Sequence, residues 1–179
     1  MIDKLQTAWL LAARHHEGQR YSTPVEGQTL PYLTHLGAVL LEAQNAVRHE
    51  PGLDAELMLL CAILHDTIED TDLQPENIRD AFGERVLAGV LALTKDESLP
   101  TKREQMKDSL SRILAQPPEI AAVKLCDRIN NLSPPPHYWD AAKVAAYKAE
   151  AELILERLGG ASTYLAGRLS TKIAAYGIQ

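Results

Sequence analysis

Leu57-Met58-Leu59-Leu60-Cys61-Ala62-Ile63-Leu64-His65-Asp66-Thr67-Ile68-Glu69-Asp70 decides how this chain is read. Its first eight residues are apolar without a break, the pattern of a helix buried on every side. Four ionisable groups, His65, Asp66, Glu69 and Asp70, follow within six positions. A lone buried carboxylate is expensive, so three of them beside an imidazole make sense where a cation neutralises the charge. Residues three and four apart share a helix face. Glu69 then lies one turn beyond His65 and Asp66, and Asp70 one turn beyond Asp66. That spacing suits two ligands offered to a metal, with two more carboxylates beside whatever the metal binds. The competing reading is a helix end surfacing into solvent, which Asp70-Thr71-Asp72 also fits.

Outward from this stretch the chain reads as helix after helix. Residues 3–17 set Leu5, Ala8, Trp9, Ala12, Ala13 and His16 at helical spacing, with Gly18 as the stop. A polar loop is expected over 18–33, where Pro24, Gly27 and Pro31 fall. Thr34 then caps a helix running to about Arg48. Pro51-Gly52 breaks the chain, and Asp54 opens the helix that delivers His65 and Asp66. Further helices are expected over 75–82, 84–93, from Thr101-Lys102-Arg103-Glu104 (a capping box) to Pro117-Pro118, and over 119–131, 139–158 and 161–175. Period-two alternation is nowhere sustained. The expectation is an all-α, single-domain helical bundle over 1–179, of about 8–10 helices, with the C-terminal helix 161–175 packed on the rest.

Composition agrees. Apolar residues make up 46% of the 179 but aromatics only 5%, so Ala, Leu, Ile and Val build the core, as in packed helices. Neither a basic leader followed by an apolar run nor an uncharged run of about 18 residues occurs. Cys61 and Cys126, the only cysteines, sit in apolar helical segments and read as reduced core thiols of a cytoplasmic protein. A net charge of −6 argues against a nucleic-acid-binding surface. It leaves room for a phosphorylated small molecule, because a metal and a few basic residues can make a local positive pocket.

Partners for His65-Asp66 stand elsewhere in the chain. His35 opens the second helix, in Pro31-Tyr32-Leu33-Thr34-His35, and Asp127 lies in Val123-Lys124-Leu125-Cys126-Asp127-Arg128. Alone, His35 reads as a capping or packing histidine and Asp127 as half of an ion pair with Lys124 or Arg128. Together with His65-Asp66 they form a His, His-Asp, Asp set.

That ordered set resembles the signature of HD-domain metal-dependent phosphohydrolases. The flanking words resemble one branch, the hydrolase domain of RelA/SpoT enzymes and the free-standing small alarmone hydrolases of the Mesh1 type. Gly18-Gln19-Arg20 leading to Leu30-Pro31-Tyr32-Leu33-Thr34-His35 looks like that branch's glutamine–arginine loop and "PYI-x-H" element. Leu64 to Thr71 is similar to "LHD-x-x-ED-T", Phe82-Gly83-Glu84-Arg85-Val86 to "FG-x-x-V", and Leu93-Thr94-Lys95 to "VTK". Val123 to Arg128 with Asn131 is similar to "IKLADR-x-x-N". The resemblance runs over about residues 5–155.

The resemblance implies roles position by position. His35, His65, Asp66 and Asp127 match the metal ligands, usually of Mn²⁺, with Fe²⁺ and Zn²⁺ as alternatives. Glu69 and Asp70 match the pair that positions and deprotonates the attacking water. Asn131 and Tyr147 match positions that contact the nucleotide. Arg20, Lys124, Lys95 and Lys102 are candidates for phosphate contacts or structural ion pairs. The implied reaction removes pyrophosphate from the 3′ position of (p)ppGpp or (p)ppApp. One departure bears on the base: Tyr21-Ser22 stand where the branch usually has basic residues, and Val25-Glu26-Gly27-Gln28-Thr29 expands the loop. This puts guanine preference in doubt and brings in the adenine alarmone. Another HD nucleotide phosphohydrolase and a catalytically silent nucleotide-binding module are the alternatives. The sequence implies neither a nucleic-acid nor a membrane partner and leaves the oligomeric state open.

Overall fold

Two helices buried along nearly their whole lengths carry the architecture. In the computed structural model, which describes residues 1–177, α3 (Ala55–Leu64) buries every residue from Leu57 to Leu64, and α8 (Pro118–Asn131) every residue from Glu119 to Ile129. The two pack against each other, and the remaining helices cover them. α1 (Ile2–His15) and α2 (Leu33–His49) lie on α3, and α2 also lies on α8. The one-turn α4 (Thr67–Asp70) follows α3, and α5 (Pro75–Phe82) then packs on α6 (Glu84–Leu93). α7 (Lys102–Leu114), α9 (Ala141–Leu158) and α10 (Thr163–Ala175) complete the bundle, with a short 3₁₀ turn at Gly159–Ala161. α10 packs against α8 and α9. No helix among the described residues is long and apolar enough to cross a membrane.

Two of the expected caps form. Asp54 accepts from Leu57 N at 3.1 Å and Thr101 from Glu104 N at 3.1 Å. α6 approaches the centre through Gly89, where a Cβ would sit 2.5 Å from Ile120 Cδ1 and 2.9 Å from Cys61 Sγ. Cys61 and Cys126 are free and buried.

Three local expectations are corrected. The polar loop over 18–33 contains an antiparallel ribbon, β1 (Arg20–Ser22) with β2 (Thr29–Pro31), in the register Arg20↔Pro31, Tyr21↔Leu30, Ser22↔Thr29. Its turn is closed by Gln28 N to Val25 O at 3.1 Å, with Gly27 at φ +74°. α2 starts at Leu33, and Thr34 lies inside its first turn rather than capping it. The helix of 57–64 stops before the acidic cluster, because side chains take its last carbonyls. Ala62 O faces His65 Nδ1 at 3.0 Å, and Leu64 O accepts from Thr67 Oγ1 at 2.7 Å. The turn resumes at once, with Asp70 N donating to Asp66 O at 2.8 Å.

Candidate active site

Three buried helix segments converge on one point. The start of α2 brings His35, the end of α3 brings His65 and Asp66, and the last turns of α8 bring Asp127. His35, His65 and Asp127 each place one donor atom within 4.8 Å of the others. The two imidazole Nε2 atoms are 3.3 Å apart. Asp66 Oδ2 lies 3.0 Å from His65 Nε2 and 3.5 Å from His35 Nε2, and Asp127 Oδ1 lies 3.5 Å from His35 Nε2.

The donor chemistry fits a divalent cation. His65 Nδ1 faces the Ala62 carbonyl, and His35 Nδ1 faces Asn130 Oδ1 at 2.7 Å. Both partners only accept, so both Nδ1 atoms carry protons, and the Nε2 atoms are the ones that would offer lone pairs to a bound cation. Two carboxylates held this close at low exposure call for a positive charge beside them, which a bound cation would supply and which a proton on His65 supplies without one. Two imidazoles and two carboxylates suit a divalent transition metal. Asp127 shows how each ligand is shared: Oδ2 accepts from Lys124 Nζ at 2.8 Å, while Oδ1 faces the histidines and accepts from Asn131 Nδ2 at 2.5 Å. Burial raises the Asp127 pKa, but Lys124 and His65 outweigh it and hold it down at about 2. Asp66 is likewise pushed up by burial yet held well below the carboxylate range by His65 and His35. Its Oδ2 also accepts from the Tyr32 hydroxyl at 2.5 Å.

Glu69 and Asp70 open onto the same cavity of about 370 Å³, together with Asp66, Asp127, Lys95 and Lys102. Their surroundings differ. Glu69 is clamped by Lys95, whose backbone N donates to Oε2 at 2.8 Å and whose Nζ donates to Oε1 at 2.5 Å. Asp70 accepts from Gln19 Nε2 at 3.4 Å and lies beside the Tyr32 hydroxyl, and burial and the charge of Asp66 raise its pKa against the pull of both. Asp70, not tied into an ion pair and raised above the ordinary aspartate range, is suited to accept a proton.

Asn131 and Tyr147 also line a second cavity, of about 490 Å³, whose walls include Tyr21, Ser22, Gln28, Pro135, Trp139 and Tyr176. Among the described residues no Lys, Arg, Asp or Glu lines it. A charged chamber thus adjoins an uncharged, aromatic one. Arg128 is buried in the wall of the first, over the Tyr147 ring at 4.4 Å and paired with Glu150. Arg20 is brought to neither chamber: its guanidinium is spent across the ribbon on Thr29, at 2.7 Å and 2.8 Å. Lys124 does line the charged cavity, but its ammonium is committed to Asp127. Asn130, Tyr32, Gln19 and Trp139 carried no assigned role in the sequence reading. Tyr32 and Gln19 stand inside the motif words that carry the resemblance, the one signal that pointed at them.

The HD domain family model matches residues 8–162. The guanosine-3′,5′-bis(diphosphate) 3′-pyrophosphohydrolase MESH1 of Xenopus tropicalis is 31% identical over 171 residues, covering 93% of this chain and 91% of the relative. The chain belongs to the HD-domain family, on its MESH1 branch. The human MESH1 protein is 32% identical over 158 residues, covering 86% of this chain and 84% of its own length. The 3′-pyrophosphohydrolase of Aquifex aeolicus is 36% identical over 132 residues, but this chain spans only 17% of that longer protein. Among solved structures, a metazoan ortholog of SpoT that hydrolyses ppGpp superposes with a TM-score of 0.81 at 27% identity, covering 98% of this chain and 97% of the other.

Proposed function

We propose that this HD-domain protein is a metal-dependent 3′-pyrophosphohydrolase of alarmone nucleotides, releasing pyrophosphate and a nucleotide with a free 3′-hydroxyl. The observation that carries the reading is the inward-facing donor set of His35, His65, Asp66 and Asp127 in one cavity with Glu69 and Asp70. Those four residues would hold a divalent cation, with Mn²⁺ the first candidate. When bound, such an ion activates a water nucleophile at neutral pH and polarises a phosphoryl oxygen. Asp70, more basic than an ordinary aspartate, takes the proton from the attacking water. Glu69 is held still by Lys95 and orients that water. Lys102, exposed at the rim, meets the diphosphate, and the uncharged chamber with Tyr21, Trp139 and Tyr147 takes the sugar and base.

The lining of that chamber favours the adenine alarmone alongside the guanine one. Tyr21 and Ser22 stand on its wall and Arg20 is turned away, so the planar donor fork that would grip a guanine edge is absent. Stacking discriminates weakly between purines. The test is a side-by-side digest of ppGpp and ppApp with Mn²⁺, separated by chromatography. Pyrophosphate should be the first product from both, with ppApp turned over at least as efficiently. Orthophosphate as the first product would assign the chain to another class of HD phosphohydrolase. A strong ppGpp preference unmoved by Tyr21→Arg with Ser22→Lys would overturn the reading of the base.

A further inference from the structure

Two adjacent amides at the end of α8 are locked in opposite senses by the cluster they touch. Asn131 Nδ2 donates to Asp127 Oδ1 at 2.5 Å, so its oxygen is the end left free. Asn130 is turned the other way, with Oδ1 2.7 Å from His35 Nδ1. A carboxamide oxygen only accepts, so His35 Nδ1 must be the protonated nitrogen. Turning the Asn130 amide over would set N–H against N–H, unless the His35 proton moved to Nε2. Nε2 is 3.3 Å from His65 Nε2 and 3.5 Å from Asp127 Oδ1. A proton there would remove one donor atom from the cluster. His65 takes its corresponding support from its own helix, the Ala62 carbonyl, whereas His35 takes it from a side chain 95 positions away.

We propose that Asn130 is a positioning residue for the metal site: its carboxamide oxygen fixes His35 in the Nδ1–H tautomer and aims Nε2 at the cation. The proposal rests on the metal-dependent reading above for its consequence, but its structural content, the tautomer of His35, does not. The same lock fixes what Asn130 shows to the uncharged chamber it lines. With Oδ1 engaged, Asn130 turns only N–H donors toward the nucleotide, next to the acceptor oxygen of Asn131.

Two near-isosteric substitutions separate the accepted hydrogen bond from packing. Asn130→Leu keeps the volume and removes the acceptor; Asn130→Asp keeps an acceptor on His35 Nδ1 and makes it stronger. Mn²⁺ affinity, measured without nucleotide by competition against a fluorescent chelator, should fall about 10–100-fold in the Leu variant, the usual cost of losing such an orienting partner. The Asp variant should hold Mn²⁺ at least as tightly as wild type. The ¹⁵N shifts of the His35 ring, read in metal-free protein above pH 9, should show Nδ1 protonated in wild type and Asp variant and lose that signature in the Leu variant. Wild-type affinity in the Leu variant, or equal weakening in both, would overturn the proposal. A wild type that binds no Mn²⁺ sinks the metal reading instead. The tautomer measurement then still decides the role of Asn130: an Nε2–H His35 in wild type refutes it.

Discussion

Acidification should strip the metal from this site, with a slope set by His65. The ring is buried, its Nδ1 faces Ala62 O, and its Nε2 faces Asp66 Oδ2 at 3.0 Å. Without a cation, burial pulls its pKa down, but Asp66 and Asp127 outweigh that and raise it to about 9. A proton on Nε2 thus occupies the position a metal needs. Asp66 and Asp127 are held low and carry no proton near neutrality, so the proton His65 brings to the competition is one. Apparent Mn²⁺ affinity should fall about tenfold per pH unit below 9, or roughly 10²-fold between pH 8.5 and 6.5, about 2.7 kcal/mol. Competition with a chelator of known proton affinity measures this, and a pH electrode should record about one proton released per Mn²⁺ at pH 7.5. Stability supplies an independent reading with the opposite sign. His65 has a higher pKa folded than unfolded, so in metal-free protein its proton stabilises the fold fully below about pH 6.5. That contribution disappears as pH rises through about 9. Metal-saturated protein should show no such loss. Affinity flat from pH 8.5 to 6.5, with no proton released, would refute the assignment of His65 Nε2 as a ligand.

Other outcomes follow from the same geometry. Asp70→Asn and Glu69→Gln should each keep near-wild-type Mn²⁺ content by elemental analysis while losing roughly 10²-fold or more in kcat, the scale of general acid–base catalysis; loss of metal in either would make that residue a ligand. Lys124→Met strands Asp127 without its ammonium partner, and thermal unfolding of metal-free protein should show a loss of about 3 kcal/mol, the usual scale for a broken buried pair. Added Mn²⁺ should restore part of that loss by replacing the missing positive charge, and a variant as stable as wild type would show the pair to be dispensable. Gly89→Ala forces a methyl onto Ile120 and Cys61, so denaturant unfolding should show about 1–3 kcal/mol of overpacking cost.

What the sequence disclosed and what it withheld divide along physical lines. α3 was legible because eight consecutive apolar residues can be satisfied only in a core. The ribbon was not, because strands of three residues are too short to show a period of two and are held by the turn between them. The stop after Leu64 was hidden for a related reason: the side chains of His65 and Thr67 compete for carbonyls that the apolar pattern assigns to the helix. At the site, His65, Asp66 and Asp127 stood out because ionisable groups in an apolar background carry a cost that demands explanation, whereas His35 gained meaning only as a member of the ordered set. Arg20 was a candidate for a phosphate contact or a structural ion pair; ribbon pairing sets it beside Thr29, which takes its guanidinium. Asn130, Tyr32 and Gln19 carry no charge and cost little to place, so residue chemistry gives them no role until the fold brings α2 to the end of α8 and the loop to α4, although Tyr32 and Gln19 stand inside the motif words. Charged groups announce where the chemistry is, whereas the neutral groups that set tautomers and aim lone pairs are visible only in three dimensions. The chain's own metal preference and base preference are to be sought among the second kind.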